Sequence, residues 1–307
     1  MRVAVVIIAT ALIGVLGAVP RWTALQPADR VAAVPTVPVL LYHGIASSNG
    51  AADEDGAVGL SEFTTQMAFL RDRGYHSISP AEYVAWVRGS APVLPRNPIL
   101  ITFDDNEATV PLAVGVLDRY GFRPTMYVVS GFADGSYGQF YLRWPGLAAL
   151  VSHGWYLQFH AGPCGHGYIS ANTPYHCAAG LTIAGSAKTG HRYYPQPDSQ
   201  PVAAYHARVR ADVARGLAAM RAHLGYPAGW RSATFAVPWD DWGQPDTSNI
   251  PWLADYFARQ FAVVLVQESY PGERVARLHH MRYRFQVDAS TTLAQFRTAL
   301  ATPRFHR

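Results

Sequence analysis

Side chains that can hold a metal ion or move a proton recur where predicted β-strands end. In chain order they are His43; Asp104 and Asp105; His160 and His166; Asp240 and Asp241; and His279 and His280. Two imidazoles and one carboxylate with one open coordination position are typical of a hydrolytic zinc site. Such a metal activates a bound water, and a second carboxylate can accept the proton of that water. The pattern therefore predicts metal-dependent hydrolysis.

The strongest single signal is the apolar run from Pro98 to Phe103, which leads directly into Asp104 and Asp105. A short apolar run predicts a buried strand of a parallel sheet. Ligands of α/β sheets and barrels bind at the carboxyl edge of such strands. Adjacent residues of an extended chain point to opposite faces, so the two carboxylates can share one site only if the strand has ended and turned. The simpler interpretation is a turn or a helix N-cap formed by Asp105, Asn106 and Glu107 before an apolar helical stretch.

Predicted strands and helices alternate along the chain after residue 37. The predicted strands cover 37–42, 98–103, 124–129, 155–159, 233–237, 261–266 and 277–284, and the predicted helices begin near 61, 80, 108, 143, 201, 251 and 290. Strand followed by helix, repeated about seven times, is typical of a parallel sheet or a (β/α) barrel. In a barrel the strand ends converge on one face, which would bring the groups named above together.

The N-terminal sequence predicts a targeting signal. Arg2 is followed by an uninterrupted apolar run from Val3 to Val19, which Pro20 and Arg21 close. This pattern predicts a signal peptide or a signal-anchor over residues 1–22, with an Ala/Pro/Val-rich linker over 23–36. The run is marginal for spanning a bilayer. We therefore expect a secreted or cell-envelope protein, and association with the membrane through this segment stays open.

Residues 161–200 interrupt the alternation of strands and helices. The segment is rich in Gly, Pro, Tyr and His and contains both cysteines of the chain. Loops of this length in compact domains are usually functional. Because export permits disulfides, we expect Cys164 and Cys177 to pair, and two buried free thiols are the alternative.

The charge distribution argues against a nucleic-acid partner. The 307 residues carry a formal net charge of +4, and the positive side chains are scattered along the sequence. No basic stripe with interleaved aromatic residues is present. Eight tryptophans and seventeen tyrosines could stack on sugars, although ordinary core packing explains them as well.

Two motifs resemble the polysaccharide deacetylases of carbohydrate esterase family 4. They are Pro38-Val39-Leu40-Leu41-Tyr42-His43-Gly44-Ile45 and Ile101-Thr102-Phe103-Asp104-Asp105-Asn106. The sequence is most similar to the branch that contains exported poly-N-acetylglucosamine deacetylases. The resemblance implies an α/β fold, a distorted (β/α)7 barrel that forms one catalytic domain over 37–303. It also implies a divalent metal, commonly zinc, and hydrolysis of an acetyl group on a sugar.

The resemblance also implies roles for individual residues. Asp104 matches the general base, Asp105 the metal carboxylate and His160 the first metal histidine. His166 is the expected second metal histidine, but it lies six positions after His160, farther than the family usually places it. His176 and His191 therefore stay open as alternatives. His279 matches the general acid, with His280 as the alternative because neighbours on a strand face opposite sides.

A further motif, Phe235-Ala236-Val237-Pro238-Trp239, resembles one wall of the family's substrate groove. Many members carry an arginine there that holds the base aspartate, whereas Arg231 lies several residues too early. The other expected contributors to substrate binding or to support of the site are His43, Trp239, Asp240 and Trp252, with Asp241 as the alternative to Asp240.

These features predict a metal-dependent hydrolase, with zinc as the expected ion, that removes acetyl groups from an N-acetylated polysaccharide. The expected substrate resembles poly-N-acetylglucosamine or peptidoglycan. The irregular histidine spacing and the displaced arginine leave a catalytically inactive carbohydrate-binding barrel as the alternative. A glycosidase is disfavoured, because its paired carboxyl groups stand about 5 Å or more apart on opposite sides of the bond. Asp104 and Asp105 are neighbours at one strand end and are poorly placed for that arrangement.

Overall fold

The computed structural model describes residues 30–31, 36–47, 56–90, 93–135, 139–163, 202–238, 250–267 and 281–302. The predicted leader over 1–22 and most of the linker lie outside these ranges. Within them, no helix combines the length and apolar character needed to cross a bilayer.

Parallel strands form a nearly closed barrel. The strands are β1 (Arg30–Val31), β2 (Val39–Tyr42), β3 (Ile45–Ala46), β4 (Val58–Gly59), β5 (Tyr75–Ser77), β6 (Leu94–Pro95), β7 (Asn97–Phe103), β8 (Thr125–Val129), β9 (Tyr156–Ala161), β10 (Thr234–Ala236), β11 (Val263–Val266), β12 (Met281–Tyr283) and β13 (Phe285–Gln286). The barrel order is β12-β11-β10-β9-β8-β7-β2-β13, every neighbouring pair is parallel, and β5 joins β7 from outside this path. Two short pairs, β1 with β6 and β3 with β4, lie apart from the barrel sheet.

Helices connect the barrel strands. They are α1 (Leu60–Asp72), α2 (Pro80–Val87), α3 (Pro111–Tyr120), α4 (Ser130–Ala133), α5 (Trp144–Ser152), α6 (Val202–Leu224), α7 (Ile250–Gln260) and α8 (Leu293–Ala301). Local sequence sets several of their ends. Ser79 and Glu82 form a capping box before α2, and Thr292 and Gln295 form one before α8. Gly121 ends α3 in the left-handed conformation that favours glycine.

Strands β2, β7, β8, β9, β10 and β11 are buried on both faces over nearly their whole length, as expected for a parallel sheet covered by helices. Alternate residues of one strand belong to two separate apolar clusters. Ile99, Ile101 and Phe103 of β7 pack in the larger cluster, whereas Leu100 packs in the smaller one with Tyr127 and Leu265. This burial explains why the strands appear in the sequence as continuous apolar runs rather than as alternating patterns.

The segment from Met281 to Gln286 closes the barrel. Its first half, β12, pairs with β11, and its second half, β13, pairs with β2. At the break between them, the Arg284 N–H donates to the Val266 carbonyl at 2.9 Å. Counted as one interrupted strand, β12 and β13 reduce the eight barrel strands to seven. The predicted distorted (β/α)7 barrel is therefore confirmed.

A buried ion pair joins the closing segment to the end of β7. Arg284 Nη1 and Nη2 donate to Asp104 Oδ1 and Oδ2 at 2.7 and 2.8 Å. Arg284 is fully buried and Asp104 is 1% exposed. Two parallel bonds between a guanidinium and a carboxylate give both strength and a fixed orientation.

We expect Arg284→Met to lower the free energy of unfolding by about 3–5 kcal/mol, because the buried Asp104 carboxylate loses its partner. Urea denaturation at neutral pH measures the change. Arg282→Met is the matched control, since the half-buried Arg282 donates to the carbonyl of its own neighbour Met281. The control should cost about 1 kcal/mol. Equal losses in the two variants would contradict a special role of the buried pair in closing the barrel.

Replacing two helical glycines by alanine should change the stability of the protein in opposite directions. A methyl group added at Gly216 of α6 would overlap the Phe159 ring of β9 and lie 2.9 Å from the Gly162 Cα, whereas one added at the exposed Gly115 of α3 meets nothing within 4 Å. Gly216→Ala should therefore destabilise the protein by about 1–3 kcal/mol through overpacking. Gly115→Ala should stabilise it by about 0.5–1 kcal/mol. Thermal unfolding of both variants tests the packing of α6 on β9, and a stabilised Gly216→Ala would refute it.

Candidate active site

The chain turns immediately after β7, and this turn brings two consecutive carboxylates to one side. The Asp104 N–H still donates to the Tyr42 carbonyl of β2 at 2.9 Å. Asp105 and Asn106 then adopt positive φ angles of 69° and 47°. Asp and Asn are among the few residues other than glycine that enter this left-handed region. The geometric condition for a shared site, a strand that ends and turns, is therefore met.

Of the two simpler interpretations of this stretch, the turn is confirmed and the helix N-cap is wrong. Helix α3 begins at Pro111, and its N-cap residue is Val110. Asp105, Asn106 and Glu107 instead belong to the turn that precedes the helix, which starts a few residues later than predicted.

His160 lies against both carboxylates. Its Nε2 is 3.2 Å from Asp105 Oδ1 and 3.6 Å from Asp104 Oδ2, and the side chain is 2% exposed. Its Nδ1 lies 2.8 Å from the Ala236 carbonyl of β10. A carbonyl can only accept, so Nδ1 carries a proton and Nε2 faces the carboxylates. His160 is inside β9, one residue before the strand ends, rather than directly after the strand.

Charge and burial act in opposite directions on these groups. Burial alone would raise the pKa of Asp104, but Arg284, His160 and His43 together hold that pKa below its ordinary value. Burial alone would lower the pKa of His160, but Asp104 and Asp105 together raise it above its ordinary value. Asp104 is therefore a carboxylate near neutral pH. His43 directly follows β2, next to Tyr42, whose carbonyl accepts the Asp104 N–H.

Helix α6 holds the chain directly after His160. The Gly162 N–H donates to the buried Asp212 Oδ2 at 2.8 Å, and the Gly162 carbonyl accepts from the Gly131 N–H at 3.2 Å. These contacts fix the backbone two residues beyond His160. The position of the imidazole is thus set from β10 on one side and from α4 and α6 on the other.

Asp105 and His160 together fit half of a zinc-type site. Carboxylate oxygen and imidazole nitrogen are ordinary zinc ligands. An Nδ1–H bonded to a backbone carbonyl is the usual support of a ligating histidine. An unprotonated Nε2 would direct its lone pair at carboxylate oxygens, so this arrangement requires a cation, either a proton or a metal, between them. Among the described residues, no group of three or more His, Cys, Asp or Glu side chains has the arrangement needed to hold a metal ion by itself.

Several predicted site residues lie outside the described ranges. They are Cys164, His166, His176, Cys177, His191, Trp239, Asp240, Asp241, His279 and His280. The second metal histidine, the general acid, the disulfide and most of the substrate groove therefore stay predictions. Trp252 is described: on α7 its ring stacks on His206 at 3.6 Å and on Tyr256 at 5.2 Å between centroids. Its expected contribution to substrate binding stays a prediction.

Arg284 is the site residue that the sequence motifs missed. The family pattern directed attention to Arg231, but Arg231 is exposed and precedes β10. The arginine that holds Asp104 comes instead from the last barrel strand. One signal could have identified it: Arg284 ends a predicted strand of a parallel sheet, and a charged side chain there needs a buried partner.

Known proteins share this fold. One solved structure, IcaB from Ammonifex degensii, is 20% identical, and the match covers 87% of this chain and 96% of that chain with a TM-score of 0.57. The BpsB deacetylase domain from Bordetella bronchiseptica is 21% identical, and the match covers 83% of this chain and 96% of that chain with a TM-score of 0.56. A third structure, the Streptococcus pyogenes deacetylase PplD in complex with acetate, is 14% identical, and the match covers 87% of this chain and 99% of that chain with a TM-score of 0.58. At these identities the likeness concerns the fold.

The sequence itself is similar to one curated protein. The Bacillus subtilis protein YxkH, assigned by name to the polysaccharide deacetylases, is 31% identical over 94 residues. The match spans 30% of this chain and about a third of that protein, 32%. No family model matches the chain. Together these comparisons confirm the resemblance to polysaccharide deacetylases that the two sequence motifs indicate, and they assign this chain the polysaccharide deacetylase fold.

Proposed function

We propose that this protein is a metal-dependent hydrolase that removes acetyl groups from an N-acetylated polysaccharide outside the cell. The observation that carries the proposal is the buried cluster of Asp104, Asp105 and His160 at the carboxyl ends of β7 and β9. In barrels that edge is where active sites form. The curated relative and two of the solved structures that share the fold, PplD and the BpsB domain, are named as deacetylases, which favours this chemistry over other hydrolyses.

Asp105 and His160 would hold a divalent cation, with zinc the best match to an oxygen and nitrogen donor set. The third protein ligand is expected from residues 164–200, with His166 as the first candidate. When bound, such a cation polarises the acetyl carbonyl and lowers the pKa of a water molecule. The geometry of these two residues supports a role as metal ligands, because Nε2 of His160 faces the Asp105 carboxylate.

Asp104 is the proposed general base. Its ionised carboxylate accepts the proton of the attacking water, and the bidentate contact with Arg284 fixes its orientation. Each carboxylate oxygen keeps a second lone pair after bonding to the guanidinium, so proton transfer stays feasible. His279, or His280 beside it, would then protonate the departing amine.

The substrate assignment rests on chemistry and on the predicted leader. The solved PplD structure contains acetate, the product that deacetylation releases. A secretory signal would deliver the enzyme to a polymer of the cell envelope or matrix, such as poly-N-acetylglucosamine or peptidoglycan. The displaced arginine no longer supports the alternative of an inactive barrel, because Arg284 makes the contact with Asp104 that was expected of Arg231.

Three substitutions separate the proposed base from the proposed ligands. Asp104→Asn should keep the metal and lower kcat about 100-fold or more, because the amide cannot accept the proton of the water. Asp105→Ala and His160→Ala should lose both metal and turnover. Metal content by mass spectrometry and acetate release measure the two properties separately. Asp118→Asn, on the exposed face of α3 where Asp118 contacts His153, is the control.

An Asp105→Ala protein that retains stoichiometric metal would contradict the ligand assignment. Full activity of Asp104→Asn would contradict the base assignment. Thermal unfolding of each variant shows whether a loss reflects chemistry or instability, which matters for Asp104 because its partner Arg284 is buried.

Acetate release from three polymer classes tests the substrate. We expect release from N-acetylglucosamine oligomers or peptidoglycan, abolished by a chelator and restored by Zn²⁺, and little release from acetylxylan. Acetate release from acetylxylan alone would replace the N-acetyl assignment with an O-acetyl one. Binding of the oligomers without release from any polymer, in metal-loaded protein, would favour the inactive barrel.

A further inference from the structure

The turn that carries Asp105 adopts an unusual backbone conformation. Asp105 and Asn106 are the only residues other than glycine with positive φ in the described ranges. Two successive residues in the left-handed region are costly unless the surroundings fix them. The structure must therefore contain contacts that hold this turn.

Asn106 supplies those contacts. Its side chain is fully buried, Oδ1 accepts the Val129 N–H at 2.9 Å, and Nδ2 donates to the Leu142 carbonyl at 3.0 Å. Its own carbonyl accepts the Leu142 N–H at 2.6 Å. One residue thus joins the end of β7 to the end of β8 and to the segment that leads into α5.

The location of β8 gives these contacts a consequence for the site. β8 lies between β7 and β9, so it separates the strand that leads to Asp105 from the strand that carries His160. Through the bond to Val129, Asn106 fixes the Asp105 turn relative to that intervening strand. The distance of 3.2 Å between Asp105 Oδ1 and His160 Nε2 depends on this register.

We propose that Asn106 is a positioning residue that directs the Asp105 carboxylate toward His160 and thereby sets the affinity of the site for a divalent cation. The inference rests on the proposed function, because it assumes that Asp105 and His160 are ligands. Asn106 itself touches neither the substrate nor the metal. Its side-chain amide stabilises the left-handed conformation of the turn, which differs from the extended conformation of the strand before it.

Asn106→Gly is the decisive variant, because glycine accepts positive φ without strain but lacks the amide. Asn106→Ala removes the amide and also strains the backbone. Asn97→Ala is the matched control: Asn97 lies at the opposite end of the same strand, where its amide donates to the Arg73 carbonyl at 3.1 Å. The full chain is stripped of metal and titrated with Zn²⁺ against a chromophoric chelator.

We expect Asn106→Gly to remain folded and to bind Zn²⁺ about 10–100-fold more weakly than the wild type, the usual effect of losing a residue that supports a ligand. Asn106→Ala should bind at least as weakly as the glycine variant. Asn97→Ala should match the wild type. The absorption bands of the Co²⁺-loaded protein should shift in Asn106→Gly and stay unchanged in Asn97→Ala, because the bands report ligand geometry rather than stability.

Wild-type Zn²⁺ affinity and an unchanged Co²⁺ spectrum in folded Asn106→Gly would overturn the inference. If Asn106→Ala fails to fold, the glycine variant alone decides. The proposed function is tested separately, by acetate release from the wild type. If the wild type binds Zn²⁺ and releases acetate but Asn106→Gly is unaffected, only the role of Asn106 is refuted. If the metal-loaded wild type releases no acetate, the proposed function is refuted.

Discussion

The buried ion pair between Arg284 and Asp104 is the interaction on which the barrel and its site both depend. Removing two charges from water is expensive, and only close pairing with good geometry repays the cost. The two bonds of 2.7 and 2.8 Å meet that requirement. Because Arg284 interrupts the closing strand and Asp104 follows β7, the same contact that completes the ring of strands also fixes the first carboxylate of the site.

This coupling explains why a charged pair occupies a position that apolar side chains could fill. A well-packed apolar replacement of a buried ion pair is often neutral or stabilising, so stability alone does not account for the pair. Arg284 and His160 hold the pKa of Asp104 below its ordinary value in spite of burial. The arrangement therefore keeps a buried carboxylate ionised and oriented, as a general base would need, and functional sites are where such costs are accepted.

The sequence predicts the parts of this structure that arise locally. Apolar runs identify the barrel strands, and the order of strands and helices identifies the fold class. The contact of Arg284 with Asp104 could not be predicted in this way, because it joins residues 180 positions apart and exists only once the barrel closes. A turn at Asp105 and Asn106 is one of two interpretations that the sequence supports, but its left-handed conformation could not be predicted, since the same residue types also suit a helix cap. The predicted site residues in 164–200, at 239–241 and at 279–280 lie outside the described residues and stay predictions.

The positions of the two neighbouring aspartates favour different tasks for them. Asp104 is still bonded to β2 through its backbone, and both of its oxygens accept from one guanidinium, so its orientation is fixed from behind. Asp105 lies beyond the strand end, in a left-handed turn, with Oδ1 3.2 Å from an imidazole nitrogen. A carboxylate that already serves a guanidinium is a weaker competitor for a cation, whereas one that faces an imidazole can share an ion with it. The end of one strand and the closure of another thus place adjacent, identical side chains in different surroundings.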